Sequence, residues 1–191
     1  HGNLESVQLQ IQQGAVLGGQ FAGQASYSWV DQRPWSADLT ARNLDVTALA
    51  GGYPLVISGN VIANGLVKSN TLAVNIQKLS GRAHGQPLEA SGEIALESGL
   101  LRARELLIRS GSSHLELNGN VQDPAGIRFS GQIDSLASFL DQASGSIAGN
   151  GRISLDPARP ALELTLQGNE LAWEDWHLAS FSAGPLDSET E

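Results

Sequence analysis

The feature that most constrains this chain is an alternation of apolar and polar residues, with a period of two, that persists almost from end to end. Val7, Leu9 and Ile11 alternate with Gln8, Gln10 and Gln12, and Phe21, Gly23, Ala25, Tyr27 and Trp29 alternate with Gln24, Ser26 and Ser28. Further columns are Trp35-Ala37-Leu39, Leu55-Ile57-Gly59-Val61, Leu72-Val74-Ile76, Leu88-Ala90-Gly92-Ile94-Leu96 and Leu115-Leu117-Gly119-Val121. Beyond them come Ile127-Phe129-Gly131-Ile133, Ile147-Gly149-Gly151-Ile153-Leu155 and Leu162-Leu164-Leu166-Gly168. Period two belongs to strands with one face apolar and one wet, because successive side chains of a strand point to opposite sides. The expected fold class is therefore all-β. Turn signals at "ANG" (63–65), "SGRAHGQP" (80–87), "ESG" (97–99), "DPAG" (123–126) and "DPARP" (156–160) are short, and short connections imply antiparallel meanders.

The apolar columns carry an anomaly. Gly59, Gly92, Gly119, Gly131, Gly151 and Gly168 stand where a packing residue is expected, although glycine packs nothing and costs backbone entropy. Glycines on one face are a device for kinking strands so that a sheet curls. Curling gives a U-shaped trough lined by the apolar columns. A closed sandwich of two such faces satisfies the same alternation, and the pattern alone leaves both open. The intervals between the glycines are unequal, which rules out a fixed solenoid or propeller period.

Composition narrows the chemistry. The chain of 191 residues has no Cys, so disulfides, thiolate metal sites and a cysteine nucleophile are excluded together. Aromatic residues are 5% of the chain, so the apolar surface is aliphatic. A net charge of -9 with 11 Lys and Arg argues against a nucleic-acid partner or an anionic membrane surface. No run reaches the roughly 18 apolar residues of a membrane helix, so an anchor is expected outside this piece. The lack of Met, even at position 1, suggests that 1–191 is a single fragment of a longer protein. The four His (1, 84, 114 and 177) lack metal-ligand spacing, and no serine sits in a G-x-S-x-G elbow. No metal, no cofactor and no catalytic residue is expected.

Two segments depart from period two. "DSLASFLDQASG" offers Asp134 or Ser135 as an N-cap with Leu136, Phe139 and Leu140 at helical spacing, and "NLDVTALAGG" (43–52) is similar, so one or two short helices are expected. Each precedes glycine-bearing strands, suggesting sub-repeats over 20–133 and 134–191. Arg102, Arg104 and Arg109 fall on or near one outward column, where they serve either a lipid phosphate or ordinary pairing with Glu and Asp. Trp173 and Trp176 flank a turn at Glu174-Asp175 and are expected to fill a hairpin end in the core.

The order of these elements, with "ADLTARNLDVTALAGGYPLVISGNVIANG", "LAVNIQKLSGRAHGQPLEASGEIALESG", "LELNGNV", "IDSLASFLDQASGSIAGNGRISL" and "LELTLQGNELAWEDWHLASF", resembles TamB-like proteins of the AsmA-like superfamily over roughly Gln20 to Ala183. The resemblance implies an antiparallel β-trough with a hydrophobic lining, belonging to a protein anchored in the inner membrane of Gram-negative bacteria and extending through the periplasm. It implies phospholipid carriage between the two membranes and an outer-membrane partner, a TamA-like protein, that is contacted through regions outside this piece. A role in assembling outer-membrane β-barrels or autotransporters, or as a structural spacer, is the alternative. On this reading the lipid-facing lining is Leu55, Ile57, Val61, Leu72, Val74, Ile76, Leu88, Ile94, Leu96, Leu115, Leu117 and Val121, with Ile127, Phe129, Ile133, Ile147, Ile153, Leu155, Leu162, Leu164 and Leu166.

Overall fold

A computed structural model describes residues 5–184. They form one twelve-stranded antiparallel sheet in which every strand pairs with its neighbours in sequence. The strands are β1 (Ser6–Val16), β2 (Gly19–Ser28), β3 (Pro34–Asp45), β4 (Leu55–Leu66), β5 (Thr71–Ala83) and β6 (Gln86–Glu97), then β7 (Leu100–Ser110), β8 (Ser113–Asn120), β9 (Ile127–Ile133), β10 (Ala143–Ser154), β11 (Ala161–Trp173) and β12 (Trp176–Ala183). β1 and β12 lie at opposite ends of the strand order, so the sheet does not close into a barrel, and among the described residues no second sheet faces it. The sandwich is thereby excluded and the open trough stands.

Burial agrees. The accessible surface is 12573 Å², against roughly 8,700 Å² for a compact protein of this mass. Among the described residues seven apolar side chains are buried, and five of them (Ala83, Ala103, Leu106, Val121 and Ile127) belong to the apolar face. The largest side chain that is fully enclosed is only Ser154, whose Oγ donates to the Asp123 carbonyl oxygen at 2.9 Å beneath the β8–β9 turn.

The helices expected at the two irregular segments do not form. "DSLASFLDQASG" makes a single 3₁₀ turn, Leu136–Ser138, with no side-chain cap. The Asp134 carboxylate is engaged instead by Ser112 and Gln132, hydrogen bonds that hold its pKa below the ordinary carboxylate value. Segment 43–52 begins as the end of β3 and continues as turns, with one helical hydrogen bond, from Ala50 N to Val46 O at 2.9 Å. One such bond does not repay nucleation of a helix, and Gly51 and Gly52, both at positive φ, end the segment. "ANG" at 63–65 is likewise not a turn: it lies within β4, and the chain reverses over 67–70.

Loops gather along one rim of the sheet. His84 Nε2 lies 3.5 Å from Asp141 Oδ1, and the His84 ring lies 5.7 Å from that of Tyr53. In a flat sheet, the β5–β6 and β9–β10 junctions stand about 19 Å apart. Curling, with the 134–142 loop reaching back, closes that distance.

The sheet curls at bulges. The register slips by a residue at Ile11/Gly14, Ala41/Leu44, Ile76/Leu79 and Ala103/Leu106, and each slip faces a glycine on the adjoining strand: Gly23, Gly59, Gly92 and Gly119. Gly92 has φ +120, and a Cβ there would meet Leu106 Cα at 2.5 Å. Gly119 has φ +127, with backbone of Gly126 and Ile127 crowding the same place. Both positions thus require glycine for backbone conformation and for close approach at once. Gly92→Ala is expected to destabilise the protein by about 2–4 kcal/mol, whereas Gly149→Ala, without a positive φ and crowded by the movable Leu166 side chain with the Thr165 carbonyl oxygen at 3.0 Å, costs less. Denaturant unfolding midpoints of the two variants check the order.

Candidate functional site: an apolar face crossing twelve strands

Register pairing carries the apolar columns across the sheet as well as along the strands. One row runs Gly14, Phe21, Ala41, Gly59, Leu79, Ala90, Ile108, Leu115, Gly131, Gly149, Leu166, Ala183, a member from each strand. A second runs Leu9, Ala25, Ala37, Ala63, Val74, Ile94, Ala103, Gly119, Ile127, Ile153, Leu162. Between them lie Ile11, Gly23, Leu39, Val61, Ile76 and Gly92, continued past the β6–β7 bulge by Leu106, Leu117, Phe129, Gly151 and Leu164. None of these rows contains a polar side chain. They are spaced by two residues along each strand, about 7 Å, or three at a bulge, and cross ten or eleven strand junctions, about 50 Å.

The residues expected to form a lining therefore share one face. Leu55, Ile57, Leu88, Ile133 and Ile147 lie towards the rim that bears the β5–β6 turn, and Leu72, Leu96, Val121 and Leu155 towards the other. Most are half-buried. Val121 and Ile127 are buried, whereas Leu72, Leu115, Ile153, Leu155 and Leu162 are exposed. Sequence reading missed Leu79 and, in β7, Ala103, Leu106 and Ile108, because two-residue bulges at Gln77-Lys78 and Arg104-Glu105 invert the phase of alternation within the strand. The available signal was the paired polar residues in mid-strand opposite a neighbouring glycine.

The six glycines fall into two groups. Gly59, Gly92 and Gly119 sit beside bulges at positive φ. Gly131, Gly151 and Gly168 do not have positive φ. Gly131 lies against Leu115, and the space above Gly151 and Gly168 is filled by the rings of Phe129 and Phe181, their cross-strand partners. The same pairing recurs at Phe21 over Gly14 and Trp35 over Gly65.

The opposite face holds the charges, and three of its arginines pair with glutamates across strands. Arg104 Nη1 lies 3.3 Å from Glu93, Arg102 Nη2 lies 3.6 Å from Glu97, and Arg152 is bonded to Glu163. These exposed pairs are worth little each. A concavity of about 880 Å³ is a crease on this polar face that crosses β7 to β11 between side chains such as Glu116, Asn118, Arg128, Arg152 and Glu163. It carries charges of both signs, Glu105, Glu116 and Glu163 beside Arg128 and Arg152. Among the described residues no three His, Asp or Glu converge as metal ligands, and no helix is long and apolar enough to cross a membrane. Trp173 and Trp176 correct their expectation: they flank the β11–β12 turn, but at 63% and 82% exposure they stand on the rim and fill no core.

A single-layer open antiparallel sheet with one aliphatic face defines a protein of the β-trough class. The family model described as TamB, N-terminal domain, matches residues 1–185, and the chain belongs to that family. Membership makes it a protein of the bacterial envelope, in a family of transport and assembly components associated with the translocation and assembly module. No curated protein and no solved structure matches the chain.

The open face makes a test possible within one row. Leu117→Asp, half-buried, is expected to keep a cooperative melt with a loss of about 1–3 kcal/mol, whereas Leu106→Asp, 7% exposed, places a carboxylate where it cannot stay hydrated and unfolds the domain. Thermal melts followed by circular dichroism compare them.

Proposed function

We propose that the apolar face is a conduit surface for phospholipid acyl chains crossing the periplasm between the inner and outer membranes. The observation that supports this reading is the set of uninterrupted aliphatic rows running across the strands. Such a surface serves transport for an energetic reason. Each methylene brought into water costs about 0.8 kcal/mol, so a lipid with some thirty methylenes faces on the order of 20 kcal/mol on leaving a membrane. A face that offers the same aliphatic surface at every strand lowers that cost along the whole path and holds the chain tightly nowhere. No covalent chemistry is required. The lining comprises the columns named above, extended by Leu79, Leu106 and Ile108. The segment acts within a protein anchored in the inner membrane that meets a TamA-like partner through other regions.

Photo-crosslinking residues at Leu117, Phe129 or Leu164 are expected to capture phospholipid in cells, and those at Glu116, Arg128 or Glu163 are not, because adjacent residues of a strand point to opposite faces. Equal capture from both sets, or capture from the polar crease alone, refutes the conduit. Capture of unfolded outer-membrane protein without lipid transfers the face to an assembly role.

A further inference from the structure

The two rims along which the loops lie differ in charge. Among the described residues, the loops on the rim that bears the β5–β6 turn contain no Lys or Arg, and their charged side chains are the acids Asp134, Asp141, Glu174 and Asp175, beside His84. On the opposite rim the β2–β3, β4–β5 and β10–β11 loops each supply an exposed cation: Arg33, Lys68 and Arg159. None of the three is ion-paired among the described residues, whereas Arg102, Arg104 and Arg152 on the strands are. Each of these loops also exposes a large apolar side chain, Val30 at 38%, Val67 at 49% and Leu155 at 57%. Asp31, Asp123 and Asp156 share this rim, but Asp156 is engaged within its own turn, where Oδ1 accepts from Ala158 N at 3.0 Å.

Backbone hydrogen bonds bring two of these cations together. Val67 N donates to Arg33 O and Lys68 N to Gln32 O, each at 3.2 Å, so the β3–β4 ladder continues past Pro34 and Leu66 into both turns. Arg33 and Lys68 thus stand on neighbouring segments, and neighbouring cations without acid partners suit a phosphate. The other rim repels one, and it is also strapped. Asp134 N donates to Ser113 Oγ at 3.2 Å, and Asp141 of the same loop reaches His84. Ser110 and Ser113, which occupy the apolar face at that rim, are each 7% exposed. The apolar face is therefore bounded by an acidic, strapped rim on one side and by a rim with free cations on the other.

We propose that Arg33 and Lys68 form a site for the phosphate of a phospholipid headgroup, so that a lipid on the apolar face lies with its headgroup at this rim and its acyl chains directed inward. The site rests on the conduit reading and adds to it an orientation of the substrate. Arg159 repeats the arrangement with a single cation six strands further along the same rim, about 29 Å away in a flat sheet.

Binding of three probes to the chain tests the site: a short-chain phosphatidylglycerol below its micelle concentration, the diacylglycerol with the same acyl chains, and inorganic phosphate. The wild type is expected to bind the phosphatidylglycerol at least about fivefold more tightly than the diacylglycerol. An Arg33→Gln, Lys68→Gln double variant is expected to lose that difference while its affinity for the diacylglycerol stays unchanged. An Arg42→Gln, Arg82→Gln double variant, which removes the same charge from the polar face near the opposite rim, is expected to keep it. All four side chains are exposed, so both variants are expected to melt like the wild type. Should the first melt lower, Lys68→Gln alone carries the comparison. Equal binding of the two lipids by the wild type, or the same loss in the Arg42, Arg82 variant, overturns the headgroup site and leaves the conduit standing. Inorganic phosphate bound as tightly as the phosphatidylglycerol overturns the lipid assignment, because it reports an anion site only. Binding of neither lipid overturns the conduit and this site with it.

Discussion

The structure depends on its backbone ladder. In a protein with two packed layers, side chains from facing elements bury one another, and strand pairing is one contribution among several. Here the described residues form a single layer in which seven apolar residues are buried and no large side chain is fully enclosed. Each strand is held by the two beside it, or by one at an edge, through inter-strand hydrogen bonds whose net worth is about 0.5–1.5 kcal/mol apiece. To these is added the partial burial of aliphatic side chains against same-face neighbours. Stability is therefore spread along the sheet. A local defect in such an array loosens its own strands first, and the fold tolerates a solvent-exposed apolar face because that face is not what holds it together.

The ladder also explains why the bulges matter beyond shape. An extra residue inserted into one strand moves every following side chain to the other face unless the backbone absorbs it. Asn43 and Glu105, in left-handed conformation, absorb it on the bulged strands, and Gly59 and Gly119 lie across from them. As a result Leu44 and Leu106 return to the apolar face. The polar residues displaced by the slip, among them Arg104, are turned to the wet face, where Arg104 meets Glu93. Curvature and the segregation of the two faces are thus achieved by the same residues.

How far the sequence announces this follows from the same physics. Period two identifies strands wherever it is unbroken, and the columns from Leu55 to Leu166 fall on one face as alternation requires. It fails at bulges, which is why β7 was illegible: "LLRARELLIRS" reads as two short runs out of phase, and only pairing with β6 and β8 joins them. "ANG" carries a turn signature that tertiary pairing overrides, since Asn64 and Gly65 are fixed between Ser36 and Trp35 on one side and Ala73 and Leu72 on the other. Leu136, Phe139 and Leu140 have helical spacing but too few residues before Gln142, at φ 64, turns the chain into β10. Trp173 and Trp176 misled because the rule that large aromatics are inside presumes an interior.

The aromatic residues of the sheet show how an open apolar face can be kept even. A phenyl or indole ring standing among Leu, Val and Ile projects above them, and a glycine leaves a recess. Placed opposite each other across a strand junction, the two irregularities cancel: the ring lies down over the glycine, where a Cβ would otherwise be. This occurs for Phe21 with Gly14, Trp35 with Gly65, Phe129 with Gly151 and Phe181 with Gly168, each a register pair. The arrangement protects the glycine's backbone from water and is a known remedy for weak positions in sheets. For a face proposed to pass acyl chains along, its further consequence is a relief without tall obstacles or deep wells. Wells hold a chain and steps stop it, so an even aliphatic surface is the form that offers similar affinity at every point. The glycines that seemed to interrupt the apolar columns are, on this account, part of what makes those columns level.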